Sequence, residues 1–126
     1  MWIKASVAAA VVSVERIPRL ALAARERLRL LELRNIEVYV GDGTLGYAAR
    51  APYDAILVSA GGPRVPVALA AQLTSQPPGR LVMPVGPADQ QQLFLLSGDP
   101  HSRALRCLGP VRFVPLIGQE GWEAPL

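Results

Sequence analysis

Apolar residues fall into short blocks whose period changes along the chain. Val11-Val12-Ser13-Val14 and Ile36-Glu37-Val38-Tyr39-Val40 are β-rich runs, the first of the continuous kind buried in parallel sheets. Between them Ala21, Ala24, Leu28 and Leu31 recur at i, i+3, i+7 and i+10, one face of an α-helix. Pro18 suits the first turn of that helix, and Asn35 is expected to end it. The alanine-rich residues 3–10 are expected to finish an earlier helix. Residues 53–58 make a third predicted strand, broken by Gly61-Gly62-Pro63. Residues 67–73 make a short helix that stops before Gln76-Pro77-Pro78-Gly79, and residues 80–85 a fourth strand. Residues 91–96 and 104–108 read as two strands around the turn at 98–102. Residues 111–117 read as an extended tail, with Pro115 at an edge or bulge.

This order predicts an α/β fold: a mostly parallel sheet ending in an antiparallel hairpin. The chain contains neither an internal repeat nor a low-complexity segment. At 126 residues a single domain over 1–126 is expected, and a hydrophobic content of 51% excludes disorder.

The net charge of +3 comes from twelve arginines and one lysine. Six arginines (Arg16, Arg19, Arg25, Arg27, Arg29, Arg34) crowd the first predicted helix, with Glu26 and Glu32 among them. A nucleic-acid surface would interleave aromatics with the basic residues; this segment has none and reads as a solvated helix face. The apolar run 5–14 is too short to cross a membrane, and it enters Glu15 without the polar linker or cleavage context of a secretory signal. Cys107 has no partner for a disulfide, which suits a reducing cytoplasm. Between Leu105 and Leu108 it is expected to be a small buried hydrophobe. One cysteine and one histidine leave no zinc site and no Cys/His nucleophilic pair. His101 falls in the predicted hairpin loop, which argues against a Ser-His-Asp arrangement.

The informative chemistry lies in two acids at successive strand ends, Glu15 and Asp42. In a doubly wound sheet, ligands bind outside the carboxyl ends of the strands. A carboxylate after one strand can accept two hydrogen bonds from a ribose diol, and one after the next can accept from an adenine amine. Together they describe a nucleoside pocket. Residues 41–46 also match G-x-G-x-x-G, but the dinucleotide motif should open a helix, and only five residues separate Gly46 from Pro52. No acid follows a second strand about twenty residues later, so a nicotinamide or phosphate reading fails on context. The run reads better as a tight turn that presents Asp42 and leaves room for a flat ring at Gly43. Asp54 suits either a ligand contact or a turn cap.

Further blocks follow in order: Ser13-Val14-Glu15-Arg16-Ile17-Pro18, Gly41-Asp42-Gly43-Thr44-Leu45-Gly46-Tyr47, Pro52-Tyr53-Asp54-Ala55-Ile56-Leu57-Val58, Gly79-Arg80-Leu81-Val82-Met83-Pro84-Val85-Gly86 and Leu108-Gly109-Pro110-Val111-Arg112-Phe113-Val114-Pro115-Leu116. From about residue 11 to residue 122 the chain resembles the protein-L-isoaspartate O-methyltransferases, class I methyltransferases that use S-adenosylmethionine. The resemblance implies a Rossmann-like sheet, Glu15 as the ribose-binding acid, and Asp42 with Gly43 as adenine contacts. It also implies that residues 111–116 form part of the peptide-substrate side of the cleft, with Val111, Arg112, Phe113 and Val114 as substrate-binding residues. Such enzymes methylate the carboxylate of isoaspartyl residues in damaged proteins, which starts their repair. The acceptor is already ionised at neutral pH, so transfer needs positioning and desolvation more than a general base. No catalytic side chain is assigned.

The family begins with a Ser/Thr-containing active-site loop, then a first strand whose acidic, glycine-rich turn holds the methionine part of the cofactor. Neither has a match in this chain, and Ile117-Gly118 lacks a hydroxyl often found after the Val-Pro-Leu stretch. The expectation is an N-terminally truncated domain whose sheet is incomplete, with methyl transfer impaired or absent in the isolated chain. Losing a central strand would leave on the order of ten backbone groups unpaired, at roughly 1–3 kcal/mol each if buried. The alternative is therefore a non-catalytic interaction module that self-associates or completes its sheet with a strand from another chain.

Overall fold

The computed structural model describes residues 8–125. Most of the helix end expected over 3–10 lies outside the described residues, and residues 8–10 are not helical. The chain divides into two compact units, Met1–Gly43 and Thr44–Leu126.

The first unit is a β-α-β turn: β1 (Val11–Glu15), α1 (Pro18–Leu30) and β2 (Ile36–Val40). The two strands are parallel, with Val11 opposite Ile36 and Glu15 opposite Val40. Pro18 occupies the first turn of α1, as its fixed φ favours. Ala21, Leu28 and Val38 form the buried centre, with Ala24, Leu33 and Ile36 packed against it. The Arg25 guanidinium crosses this layer and donates from Nε to the Val38 carbonyl at 2.9 Å.

The helix stops five residues before Asn35, the expected end. Leu33 N–H donates to Leu28 O and Glu32 N–H to Arg29 O, each at 3.0 Å, while Glu32 takes φ +57°. This is a Schellman closure with a non-glycine residue at the left-handed position. Asn35 instead donates from Nδ2 to Ala8 O at 3.0 Å, and its carbonyl accepts from Val11 N–H.

The second unit contains β3 (Ala55–Leu57), α2 (Val67–Ala71), β4 (Arg80–Val85), β5 (Gln92–Ser97) and β6 (Ala104–Pro110). Its sheet runs β3-β4-β5-β6; β3/β4 are parallel, and β4/β5 and β5/β6 antiparallel. Leu69, Ala70, Leu73, Leu81, Met83 and Leu96 make its buried core. Beyond β6 the chain returns to the core: Trp122 Nε1 donates to Gly61 O at 2.9 Å, and the Glu120 carboxylate accepts from Val67 N–H (2.8 Å) and Ala68 N–H (3.2 Å). A carboxylate there satisfies N–H groups that the first turn of α2 leaves open.

The expected α/β order, parallel pairs followed by an antiparallel hairpin, is present, divided among the described residues into a two-stranded and a four-stranded sheet. Among the described residues both β1 and β3 have a neighbour on one side only. Val11 N–H donates to Asn35 O and Gly41 N–H to Glu15 O, so by the alternation of a strand Val12 and Val14 turn their N–H and C=O to the open edge. Likewise Arg80 N–H bonds Asp54 O and Val58 N–H bonds Val82 O, leaving Ala55 and Leu57 on the open edge of β3. The third strand is thus three residues long rather than six, and Leu57 stays 49% exposed.

Cys107 corrects another expectation. It is exposed on β6, an edge strand, where its thiol donates to Gln92 Oε1 at 2.7 Å. Flanking leucines suggest burial, but Ala104 to Leu108 are all exposed, so among the described residues nothing covers either face of this segment.

Candidate functional site

Glu15 ends β1 and lies opposite Val40, and the chain leaves β2 through Gly41 into Asp42. Gly41 N–H donates to the Glu15 carbonyl at 3.0 Å, which ties the two strand ends together. Glu15 and Asp42 therefore stand at the same ends of adjacent parallel strands. Glu15 Oε1 accepts from Ile17 N–H at 3.1 Å, turning the carboxylate toward the start of α1, where the helix dipole favours an anion. Among the described residues Oε2 takes no partner. Asp42 is half-buried and engaged within the chain. A side chain added at Gly43 would meet nothing within 4 Å, so the space over that residue is open.

The G-x-G-x-x-G run does not open an α-helix. Gly43–Leu45 is a single 3-10 turn, and Gly46 takes φ +66° against the side chain of Gln72. That carboxamide accepts from Tyr47 N–H at 3.1 Å and donates to Leu45 O at 2.9 Å. The loop is packed down by a glutamine from the end of α2 and forms no phosphate cradle. Asp54 is exposed and its side chain bonds nothing among the described residues, so the turn cap is not made.

In the second unit, residues 111–116 form an extended segment held along its length. Val111 N–H donates to Gln91 O (3.1 Å), Gly61 N–H to Val114 O (2.8 Å), and Leu116 N–H to Gly61 O (2.8 Å). Between these points the Gln91 side chain accepts from Phe113 N–H at 2.7 Å and donates to Phe113 O at 3.1 Å. Arg112, Phe113 and Val114 are exposed, Val114 at 69%. Two open depressions share Asp89 and Arg112; one runs along Gln91 and Val111, the other along Phe113 and Val114. Gln91 is absent from the sequence-based candidates. Its only signal there is a polar triplet, Gln90-Gln91-Gln92, ahead of an apolar strand.

The structure thus brings Glu15, Asp42 and Gly43 to one sheet end in the first unit, and Val111, Arg112, Phe113 and Val114 along one exposed segment of the second.

Residues 2–121 match the family model for protein-L-isoaspartate(D-aspartate) O-methyltransferase. A protein-L-isoaspartate O-methyltransferase of Methanoculleus marisnigri is 51% identical over 119 residues, covering 94% of this chain and 53% of that protein. A solved structure of a protein-L-isoaspartate O-methyltransferase superposes with a TM-score of 0.80 at 28% identity, over 89% of this chain and 35% of that one. A Plasmodium falciparum protein described as a protein-L-isoaspartate O-methyltransferase, solved with S-adenosyl-L-homocysteine, shares the fold: TM-score 0.71 at 22% identity, over 86% of this chain and 52% of that one. The chain spans about half the length of the curated relatives it matches. It belongs to the protein-L-isoaspartate(D-aspartate) O-methyltransferase family.

Proposed function

We propose that this chain carries the nucleoside-binding part and a substrate wall of an S-adenosylmethionine-dependent protein-L-isoaspartate O-methyltransferase. The observation that carries the reading is the pair of carboxylates at adjacent parallel strand ends, one with an oxygen left open, beside clear space at Gly43. That pair of acceptors fits a nucleoside: Glu15 would accept from the ribose diol, Asp42 from the adenine amine, and Gly43 would leave room for the ring. When bound, S-adenosylmethionine supplies an electrophilic methyl group on a sulfonium. The chain's own task is to bind and orient. An isoaspartyl carboxylate needs no deprotonation at neutral pH, so no residue is required to take a proton. The exposed segment 111–114 would line the acceptor side, with isoaspartyl-containing proteins or peptides as substrates. A cytoplasmic setting, suggested by the lone cysteine, belongs to the same reading.

Calorimetric titration of the full chain with S-adenosyl-L-homocysteine tests it, beside a Glu15→Ala, Asp42→Ala double variant. Micromolar binding is expected, weakened at least about a hundredfold in the variant, since each lost hydrogen bond to a charged group is worth roughly 1.5–3 kcal/mol. Equal binding by both chains would sink the assignment.

A second reading rests on the open edges of β1 and β3, where apolar strands stay half-exposed with backbone groups turned outward. Such edges accept further strands, so the alternative is an interaction module completed by a second copy or another chain. Sedimentation analysis separates the two: a monomer that binds the nucleoside supports the first reading, and an obligate oligomer without binding supports the second.

A further inference from the structure

Gln91 stands out among the polar side chains of the second unit. It is 3% exposed, yet it belongs neither to the candidate nucleoside acids nor to the exposed peptide-facing residues. Both ends of its carboxamide are used, and both on the two peptide groups that flank one residue: Oε1 takes the N–H of Phe113 and Nε2 gives to the C=O of Phe113. The Gln91 backbone carbonyl meanwhile takes the N–H of Val111. One residue therefore replaces a strand's worth of pairing for a segment that lies outside any strand. The amide fits only because the facing residue is glycine. A Cβ on Gly61 would overlap the carboxamide, and Gly61 itself continues the hold through Val114 O and Leu116 N–H.

The outcome is a fixed backbone that carries exposed side chains. Arg112, Phe113 and Val114 project from a segment pinned at 111, 113, 114 and 116, and the N–H and C=O of Arg112 take no partner among the described residues. Exposed loop backbone ordinarily samples many conformations, and ordering it on binding costs affinity. A segment already held extended avoids that cost.

We propose that Gln91 is the positioning residue of the acceptor-facing segment, its buried carboxamide holding both the N–H and the C=O of Phe113 so that Arg112, Phe113 and Val114 meet a peptide in one conformation. This rests on reading residues 111–114 as the substrate wall.

The test uses the full chain with Gln91→Met, which keeps the side-chain length and removes both bonds, and Gly61→Ala, which leaves Gln91 in place but displaces its amide. Two readouts are taken. The first is the rate of limited trypsin cleavage after Arg112, with cleavage after Arg19 in the first unit as internal reference. The second is affinity for an isoaspartyl peptide, set against affinity for S-adenosyl-L-homocysteine. Loss of two buried hydrogen bonds predicts about a tenfold or greater rise in cleavage after Arg112, because proteolysis follows local opening, with little change at Arg19. Peptide affinity is expected to fall about tenfold while nucleoside affinity stays within about twofold, a split that general destabilisation would not produce. Unchanged cleavage after Arg112 in both variants overturns the proposal. So does a parallel loss of both affinities, or peptide binding that survives full release of the segment. A parent chain that binds no isoaspartyl peptide defeats the functional reading instead; the trypsin comparison then decides alone whether Gln91 holds the segment.

Discussion

Among the described residues the first unit holds its β-α-β turn with three buried apolar side chains, Ala21, Leu28 and Val38, whereas the second gathers six against a four-stranded sheet. In the first, order comes mainly from short-range devices: Pro18 at the start of α1, the Schellman closure at Glu32, and Arg25 crossing to Val38 O. In the second, distant segments are tied by polar side chains, the half-buried Glu120 to the start of α2 and the buried Gln91 to Phe113. The contrast teaches that the candidate nucleoside acids sit on the less buried unit and the candidate peptide wall on the better anchored one. Small cores are marginal, so the first unit is expected to open more readily.

The comparison breaks most sharply at Leu81, which is fully buried in the second core. Leu81→Ala is expected to cost about 2–5 kcal/mol in urea denaturation. Amide exchange should then show the second unit losing its advantage in protection over the first; an unchanged difference would mean that its sheet does not depend on this core. Next in size is Glu120→Ala, which removes the acceptor for Val67 and Ala68 N–H and should cost about 0.5–2 kcal/mol, the range of a helix cap. The loss should appear as faster exchange at those two amides and leave α1 untouched.

A gain is expected at Glu32, where a non-glycine residue holds φ +57°. Glu32→Gly should stabilise the first unit by up to about 1 kcal/mol, seen as a raised urea midpoint for the α1 signals, because glycine bears no Cβ penalty in the left-handed region. The smallest effect lies in the exposed turn after β5. There Ser102 Oγ–H and His101 N–H donate to the Asp99 carboxylate and hold its pKa below the ordinary value of 3.8. A depressed folded pKa means the contribution is present above the unfolded value and is lost as pH falls through the folded one. Carboxyl NMR should therefore show Asp99 titrating below pH 3.8, with Ser102→Ala moving it upward.

Much of this was readable along the chain. The β-branched run at 11–14, the alternating run at 36–40 and the apolar run at 80–85 emerge as β1, β2 and β4 with ends shifted by a residue at most. The stripe through Ala21, Ala24 and Leu28 faces the first core as its spacing requires, but its fourth member, Leu31, falls past the last turn of α1 and is 45% exposed. The end of α1 was not readable, because glutamate carries no signal for the left-handed position it occupies. Nor was the exposure of Cys107: whether a strand's face is covered depends on what packs against it. Glu15 and Asp42 were legible as a pair because each closes a recognisable strand. Gln91 was not, since both partners of its amide belong to a residue 22 positions further on.

Local sequence by itself determined where strands and helices form, since period, proline and glycine act over a few residues, and it placed two acids at neighbouring strand ends. Tertiary structure alone decided which strands lie at edges, which glutamine is buried, and which backbone segment outside the strands is held by hydrogen bonds. Those outcomes depend on contacts between residues far apart in the chain, and no spacing along the sequence records them.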